Sequence, residues 1–180
     1  MTDLKYELTS ESKSFEGITL FRIRALRDFG HVKSGDLGGW VEKEQNLSHE
    51  GGAWIFGKAQ VFGKARVYGE ALVYGKALVY GKARVYGGAW VSEGRYTETV
   101  INLILPQYSI TVLSTGKLQI DCQLKTIEEW KSTTLEDTVK MGLKEENYEL
   151  FMHMIKGFLS LDDKYFEGNQ SHPIKEKRND

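Results

Sequence analysis

The chain has 180 residues, 24 Lys and Arg against 25 Asp and Glu, one Cys, two Pro and 19 Gly. That length suits one domain or one domain with a small appendage, and 41% apolar residues predict a packed core rather than disorder. A net charge of −1 argues against a general nucleic-acid binder, and a lone cysteine, Cys122, rules out an internal disulfide framework or a cysteine zinc cluster. The sequence has no 18-residue apolar run, and its first residues lack the apolar segment of a signal peptide. The expectation is a soluble protein of the cytoplasm, with no membrane contact.

In chain order, residues 4–8 and 18–26 have strand character, with Gly17 between them as a turn. From Gly51 the chain reads GGAWIF GKAQVF GKARVY GEALVY GKALVY GKARVY GGAWVS, seven hexads without a gap. Gly, Ala and a β-branched residue each recur every six positions. Helical spacing places apolar residues three and four apart, so a period of six excludes a helix. Ala and Val alternate with polar or aromatic residues as in a short strand, and Gly then turns the chain. A β-solenoid satisfies these constraints, with Ala and Val inward and Gly at the corners. Upstream, Val41, Leu47 and Ala53 are also spaced by six, but in the Ala register rather than the Val register.

After the repeats, residues 100–105, 108–113 and 118–124 read as strands, with turns at Pro106-Gln107 and Thr115-Gly116. Cys122 alternates in step with Leu118, Ile120 and Leu124, which predicts a place facing a core. Thr126 to Glu129 is a capping-box pattern opening a short helix. Residues 145–161 carry the apolar spacing of an amphipathic helix. The tail from Gly168 is polar and charged and is expected to fray.

The pattern V-x-G-x-A-x resembles the hexapeptide repeat of left-handed parallel β-helix proteins, over residues 51–92 tightly and 37–50 loosely. The resemblance implies triangular coils of three hexads, so that residues 18 apart share a face. The fold class is then mainly β: an N-terminal β cap (1–40), a left-handed β-helix of about three coils (41–95), a small α+β lobe (96–167) and a disordered tail (168–180). The flanks GDLGGWVEKEQNLSHEG and YSITVLSTGKLQIDCQLKTIEEW look like those of small hexapeptide-repeat proteins of phages and prophages, a group labelled transferases from the coil alone. The match covers most of residues 17–131.

The 18-residue period sorts outward side chains. One face carries Trp54, Phe56, Leu72, Tyr74 and Trp90, too much apolar surface to leave in water. It is expected to pack on the C-terminal helix or on a partner subunit, the resemblance favouring a homotrimer. A second face (Lys58, Gln60, Phe62, Lys76, Leu78, Tyr80) is mixed. The third carries Lys64, Arg66, Tyr68, Lys82, Arg84 and Tyr86. Residues 51–92 hold six cations and one acid, a net +5. Like charges about 4.8 Å apart on adjacent strands repel unless an anion relieves them, and Arg with Tyr suits phosphate and base stacking.

Acyltransferases of the resembled family use a His general base near a cleft between subunits. The repeats hold no His, but His49 lies beside the first regular coil with Glu50 as a possible orienter, and His31 sits in the N-terminal segment. The four histidines show no zinc-ligand spacing, so no metal is expected, nor any cofactor. GKA lacks the ending of a phosphate loop. With no catalytic set in the repeats, the resemblance to phage-type proteins implies a non-catalytic binding protein that counters host defence. It would sequester a small anionic, nucleotide-like signal or bind a defence protein in the host cytoplasm, with the third-face ladder as contact surface. The alternatives are an acyltransferase using His49 or His31 as base, and a purely structural phage component.

Overall fold

The computed structural model describes residues 4–104, 109–115, 117–120 and 123–158. Cys122 and the tail from Gly168 lie outside the described residues, so the expectations placed on them are not carried further. Strands β1 (Tyr6–Phe15) and β2 (Ile18–Ala25) form an antiparallel hairpin across Glu16-Gly17. β3 (Leu37–Val41) follows, then seven two-residue strands: β4 (Trp54–Ile55), β5 (Gln60–Val61), β6 (Arg66–Val67), β7 (Leu72–Val73), β8 (Leu78–Val79), β9 (Arg84–Val85) and β10 (Trp90–Val91). β11 (Arg95–Tyr96) closes the last coil against β8.

The hexads stack as the repeat predicts. β4, β7 and β10 pair in parallel on one face, β3, β5, β8 and β11 on the second, and β6 and β9 on the third. Partners such as Gln60 and Leu78, or Arg66 and Arg84, are 18 residues apart. The result is a β-solenoid of about three coils, as the left-handed β-helix resemblance implies. Inside it, Ala53, Ala59, Ala71, Ala77, Ala83 and Ala89 alternate with Ile55, Val61, Val73, Val79, Val85 and Val91, all at 0% exposure. Glycine is required at the corners: Gly75 has φ +64°, and a Cβ there would sit 2.2 Å from the Ser92 carbonyl oxygen.

The degenerate first coil regains the register it lacked in sequence. Val41 pairs with Val61, and Leu47 bridges to Val67, so both sit in the Val stack. From Leu47 to Ile55 the chain spends eight residues where a hexad spends six. The two extra residues fall in the Ser48–Gly52 corner, which shifts the apparent phase and pushes His49 and Glu50 out of the coil.

Side-chain cover comes from an unexpected direction. On the first face, Trp54 is 1% exposed because Phe29 and Tyr6 pack edge-on to it, with ring centroids 5.2 and 6.2 Å away. The N-terminal segment, not the C-terminal helix, covers that position. Phe56, Leu72, Tyr74 and Trp90 remain half-buried. The second face is the more fully covered one. Phe62 stacks on Tyr80 at 5.1 Å, and both pack with Leu20, Phe15, Ile18 and Trp40 beneath the β1–β2 hairpin.

The C-terminal lobe is an antiparallel sheet of β12 (Asn102–Ile104), β13 (Ser109–Val112), β14 (Lys117–Ile120) and β15 (Gln123–Thr126). In place of the single strand expected over 118–124 there are two antiparallel strands, with Ile120 opposite Gln123. Among the described residues three α-helices follow: α1 (Ile127–Lys131), opened by the Thr126–Glu129 capping box, α2 (Leu135–Lys140) and α3 (Tyr148–Phe158). Trp130, Phe151 and Ile155 pack on Ile110, Val112 and Leu118. No helix among the described residues is long and apolar enough to cross a membrane.

Phe62→Ala deletes the ring that joins hairpin to solenoid. It should lower unfolding free energy by about 3–5 kcal/mol in urea titration. A change below about 1 kcal/mol would mean the hairpin is not held through this face.

Candidate functional site

The third face builds a groove. Because β6 and β9 pair in register, Arg66 lies beside Arg84, and Tyr68 stacks on Tyr86 with centroids 5.5 Å apart and planes 11° from parallel. Strand alternation turns Val67 and Val85 inward and leaves both arginines exposed. At the N-terminal end of this face a 3-10 turn, Glu44–Asn46, and the enlarged corner at 48–50 rise above the coil. Together they enclose an open groove of about 600 Å³ lined by Glu44, Gln45, Leu47, Ser48, His49, Glu50, Arg66, Tyr68 and Arg84. That volume suits a small-molecule ligand.

The structure thus unites residues from two separate sequence expectations, the basic ladder and His49. Lys64 and Lys82 are exposed on the same face, and Tyr86 extends it, but none of the three lines the groove. Among the described residues, Lys64, Arg66, Lys82 and Arg84 form no ion pair, and neither do Glu44 and Glu50 across the groove. His31 is elsewhere, exposed between Phe29 and Val32 in a tight antiparallel bridge. Its neighbours Lys33 and Asp28 pair with each other at 2.9 Å, and Asp36 accepts the Lys33 N–H.

His49 is held differently from the expected His–Glu pair. The main-chain N–H of Lys5 donates to its Nδ1 at 3.2 Å, and Tyr6 stacks on its ring at 4.3 Å. Burial holds its pKa below the usual imidazole range; Glu44 pushes the other way, while Lys5 and Arg27 add to the depression. A neutral ring whose Nδ1 accepts carries its proton on Nε2. Nε2 is shielded from solvent and has no hydrogen-bond partner. The ring therefore carries an unsatisfied N–H that is covered in the free protein.

Lys5 is the residue that sequence reading missed. It is fully buried, and its Nζ donates to the carbonyls of Ala53 (2.8 Å), Gly51 (3.3 Å) and Glu50 (3.5 Å). Burial pulls its pKa down to about 8, helped by Arg27 and opposed by Glu70. Tyr6 is also buried, its hydroxyl 2.8 Å from the Glu44 carbonyl and 2.9 Å from that of Leu47. Burial and Glu44 push its pKa well up. No periodicity marks either residue, because both act across 38 to 48 positions of chain.

Against known proteins, no family model matches the chain. A stretch of 60 residues is 35% identical to a protein of Escherichia coli (strain K12) named "Uncharacterized acetyltransferase YdcK". The match covers 29% of this chain and 18% of that protein, so the chain spans less than a fifth of its relative's length. This likeness overturns the expectation of a non-catalytic, defence-countering binder that is not an enzyme. That expectation rested in part on the absence of His within the repeats. The enlarged corner brings a histidine to the repeats' own basic face, so the premise fails.

The Lys5 pKa makes stability pH-dependent. Between pH 8 and 10.5 the unfolded chain binds the proton that the folded Lys5 has released, so stability rises with pH there. Above about pH 10 the unfolded Tyr6 ionises while the folded one does not, and stability falls. In urea titrations from pH 7 to 11, wild type minus Lys5→Met should show the first rise, amounting to no more than about 3 kcal/mol. A flat difference would contradict the burial of a cation at this position.

Proposed function

We propose that the protein is an acyltransferase and that the third-face groove is its site. The observation that carries this is the combination in one groove of two unpaired guanidiniums and a histidine with an unsatisfied N–H. The likeness to a protein named an acetyltransferase supports the reaction class. Arg66 and Arg84 bind the anionic part of a thioester donor, a role that planar guanidinium forks suit. An amine or hydroxyl acceptor enters on the side of Glu44 and Glu50. Its lone pair attacks the acyl carbon, the C–S bond breaks with the electron pair going to sulfur, the thiolate leaves, and the acceptor's proton passes through water in the open groove to that thiolate.

His49 serves this reaction as a hydrogen-bond donor. Charge develops on the carbonyl oxygen as the tetrahedral intermediate forms; Nε2–H, covered and without a partner in the free protein, donates to that oxyanion once the bound donor displaces the groove wall over it. A base role at Nε2 requires the other tautomer, which gives up the bond from Lys5.

The test is thiol release from acetyl-coenzyme A with a panel of small amines and alcohols, alongside calorimetric binding of the donor. His49→Ala should cut kcat by about 10²–10³, and His49→Gln, which keeps an N–H, should retain more activity than Ala. Arg66→Glu with Arg84→Glu should weaken donor binding at least about tenfold, a loss of one opposed charge pair or more. Donor binding unchanged in the double variant, or no release above the uncatalysed rate in wild type, would contradict the proposal.

A further inference from the structure

Lys5 is a buried cation that no step of acyl transfer uses. As a plain cap for the open end of the solenoid it is an expensive choice, because an ammonium carries a several-kcal/mol desolvation cost into the interior. The equivalent carbonyls on the other two faces are capped without charge. The Ala59 oxygen takes the Trp40 main-chain N–H at 3.0 Å, and the Ala65 oxygen takes the Asn46 side-chain amide at 2.9 Å. The Ala53 oxygen alone is given a lysine, and that lysine does more than cap it.

Its contacts bracket one segment. The main-chain N–H holds His49 at Nδ1, while Nζ reaches the carbonyls of Glu50, Gly51 and Ala53 that follow. An ammonium has three donors and no acceptor, so these three carbonyls use all of them. The next residue, Tyr6, stacks on the His49 ring and holds the other end of the same wall through the Glu44 and Leu47 carbonyls. Two consecutive residues thus grip the two extra positions that lift His49 out of the coil.

We propose that Lys5 is the positioning residue of the groove, its N–H and its ammonium together fixing the 49–53 corner so that His49 keeps one orientation and one tautomer, with the proton on Nε2. The consequence for turnover rests on the groove being the acyl-transfer site; the fixing of His49 does not. The charged groups facing His49 are Lys5 and Arg27 from the N-terminal segment and Glu44 from the 3-10 turn, with Glu50 next in the chain. With the corner fixed by the ammonium, the Lys5 N–H stays on Nδ1 and the proton stays on Nε2 at any pH above the depressed pKa of the ring.

The experiment is nitrogen-15 NMR titration of the histidine side chains in the full chain, for wild type, Lys5→Met, Lys5→Gln and, as control, Arg27→Met. Wild-type His49 should show the Nε2–H tautomer and a pKa below 6.5. In Lys5→Met the pKa should rise and the tautomers should mix, whereas Arg27→Met should raise the pKa and leave the tautomer alone. Lys5→Gln, which keeps an uncharged donor, should lie between, and it decides the matter if Lys5→Met does not fold. In the transfer assay Lys5→Met should lower kcat about ten- to a hundredfold, with the donor's KM little changed. An Nδ1–H tautomer in wild type, or an unchanged tautomer in a folded Lys5 variant, would overturn the proposal. The NMR result with no transfer in any variant would leave the positioning intact and overturn the acyltransferase reading instead.

Discussion

A β-solenoid hydrogen-bonds each coil only to the coils above and below it, so its first and last coils present rows of peptide groups with no partner. A stack of about three coils cannot treat its ends as a minor fraction. Most of what surrounds the repeats answers this constraint. At the N-terminal end the Ala53, Ala59 and Ala65 carbonyls are met by Lys5, Trp40 and Asn46. At the other end Thr111 accepts the Trp90 N–H at 3.1 Å, and Ser109 donates to the Gly88 carbonyl at 3.1 Å. The C-terminal lobe is thereby a cap as well as a domain with its own core around Trp130.

The groove is a by-product of the same constraint. Uninterrupted hexads give a smooth prism with no concavity. The enlarged corner at the first coil breaks the prism where it must be capped anyway, and the capping segment supplies the wall. Arg66 and Arg84 are set by strand register, His49 by the corner, and the ring's tautomer by a main-chain N–H. One histidine outside the repeats therefore alters what the basic ladder can do. Without it, the ladder reads as a binding surface for an anion. With it, the same face carries two exposed guanidiniums beside a histidine that lines the groove.

The solenoid was legible because its signal is local and repeated: Gly, Ala and Val at fixed hexad positions dictate corner, small inward and large inward residues. Arg66 and Arg84 were legible for the same reason. The phase slip at 48–52 was visible as Val41 and Leu47 standing in the wrong register, but only the pairings Val41–Val61 and Leu47–Val67 show that two extra residues cause it. The hairpin over Phe62 and Tyr80, and the reach of Lys5 and Tyr6 to the 44–53 wall, were not legible. They depend on contacts between segments far apart in sequence, and a lysine just ahead of β1, two residues from Glu7, carries no mark of burial. The mixed composition of the second face concealed that its two aromatic residues, not its lysines, define its packing.

The central claim is that the groove on the third face is where this protein meets its ligand. Amide chemical-shift mapping of the full chain titrated with acetyl-coenzyme A tests it most directly. The account predicts shifts concentrated at residues 44–50, 66–68 and 84–86, with the His49 amide among the largest. Shifts confined to the half-buried Leu72–Trp90 face or to the C-terminal lobe, with the groove unmoved, would contradict it.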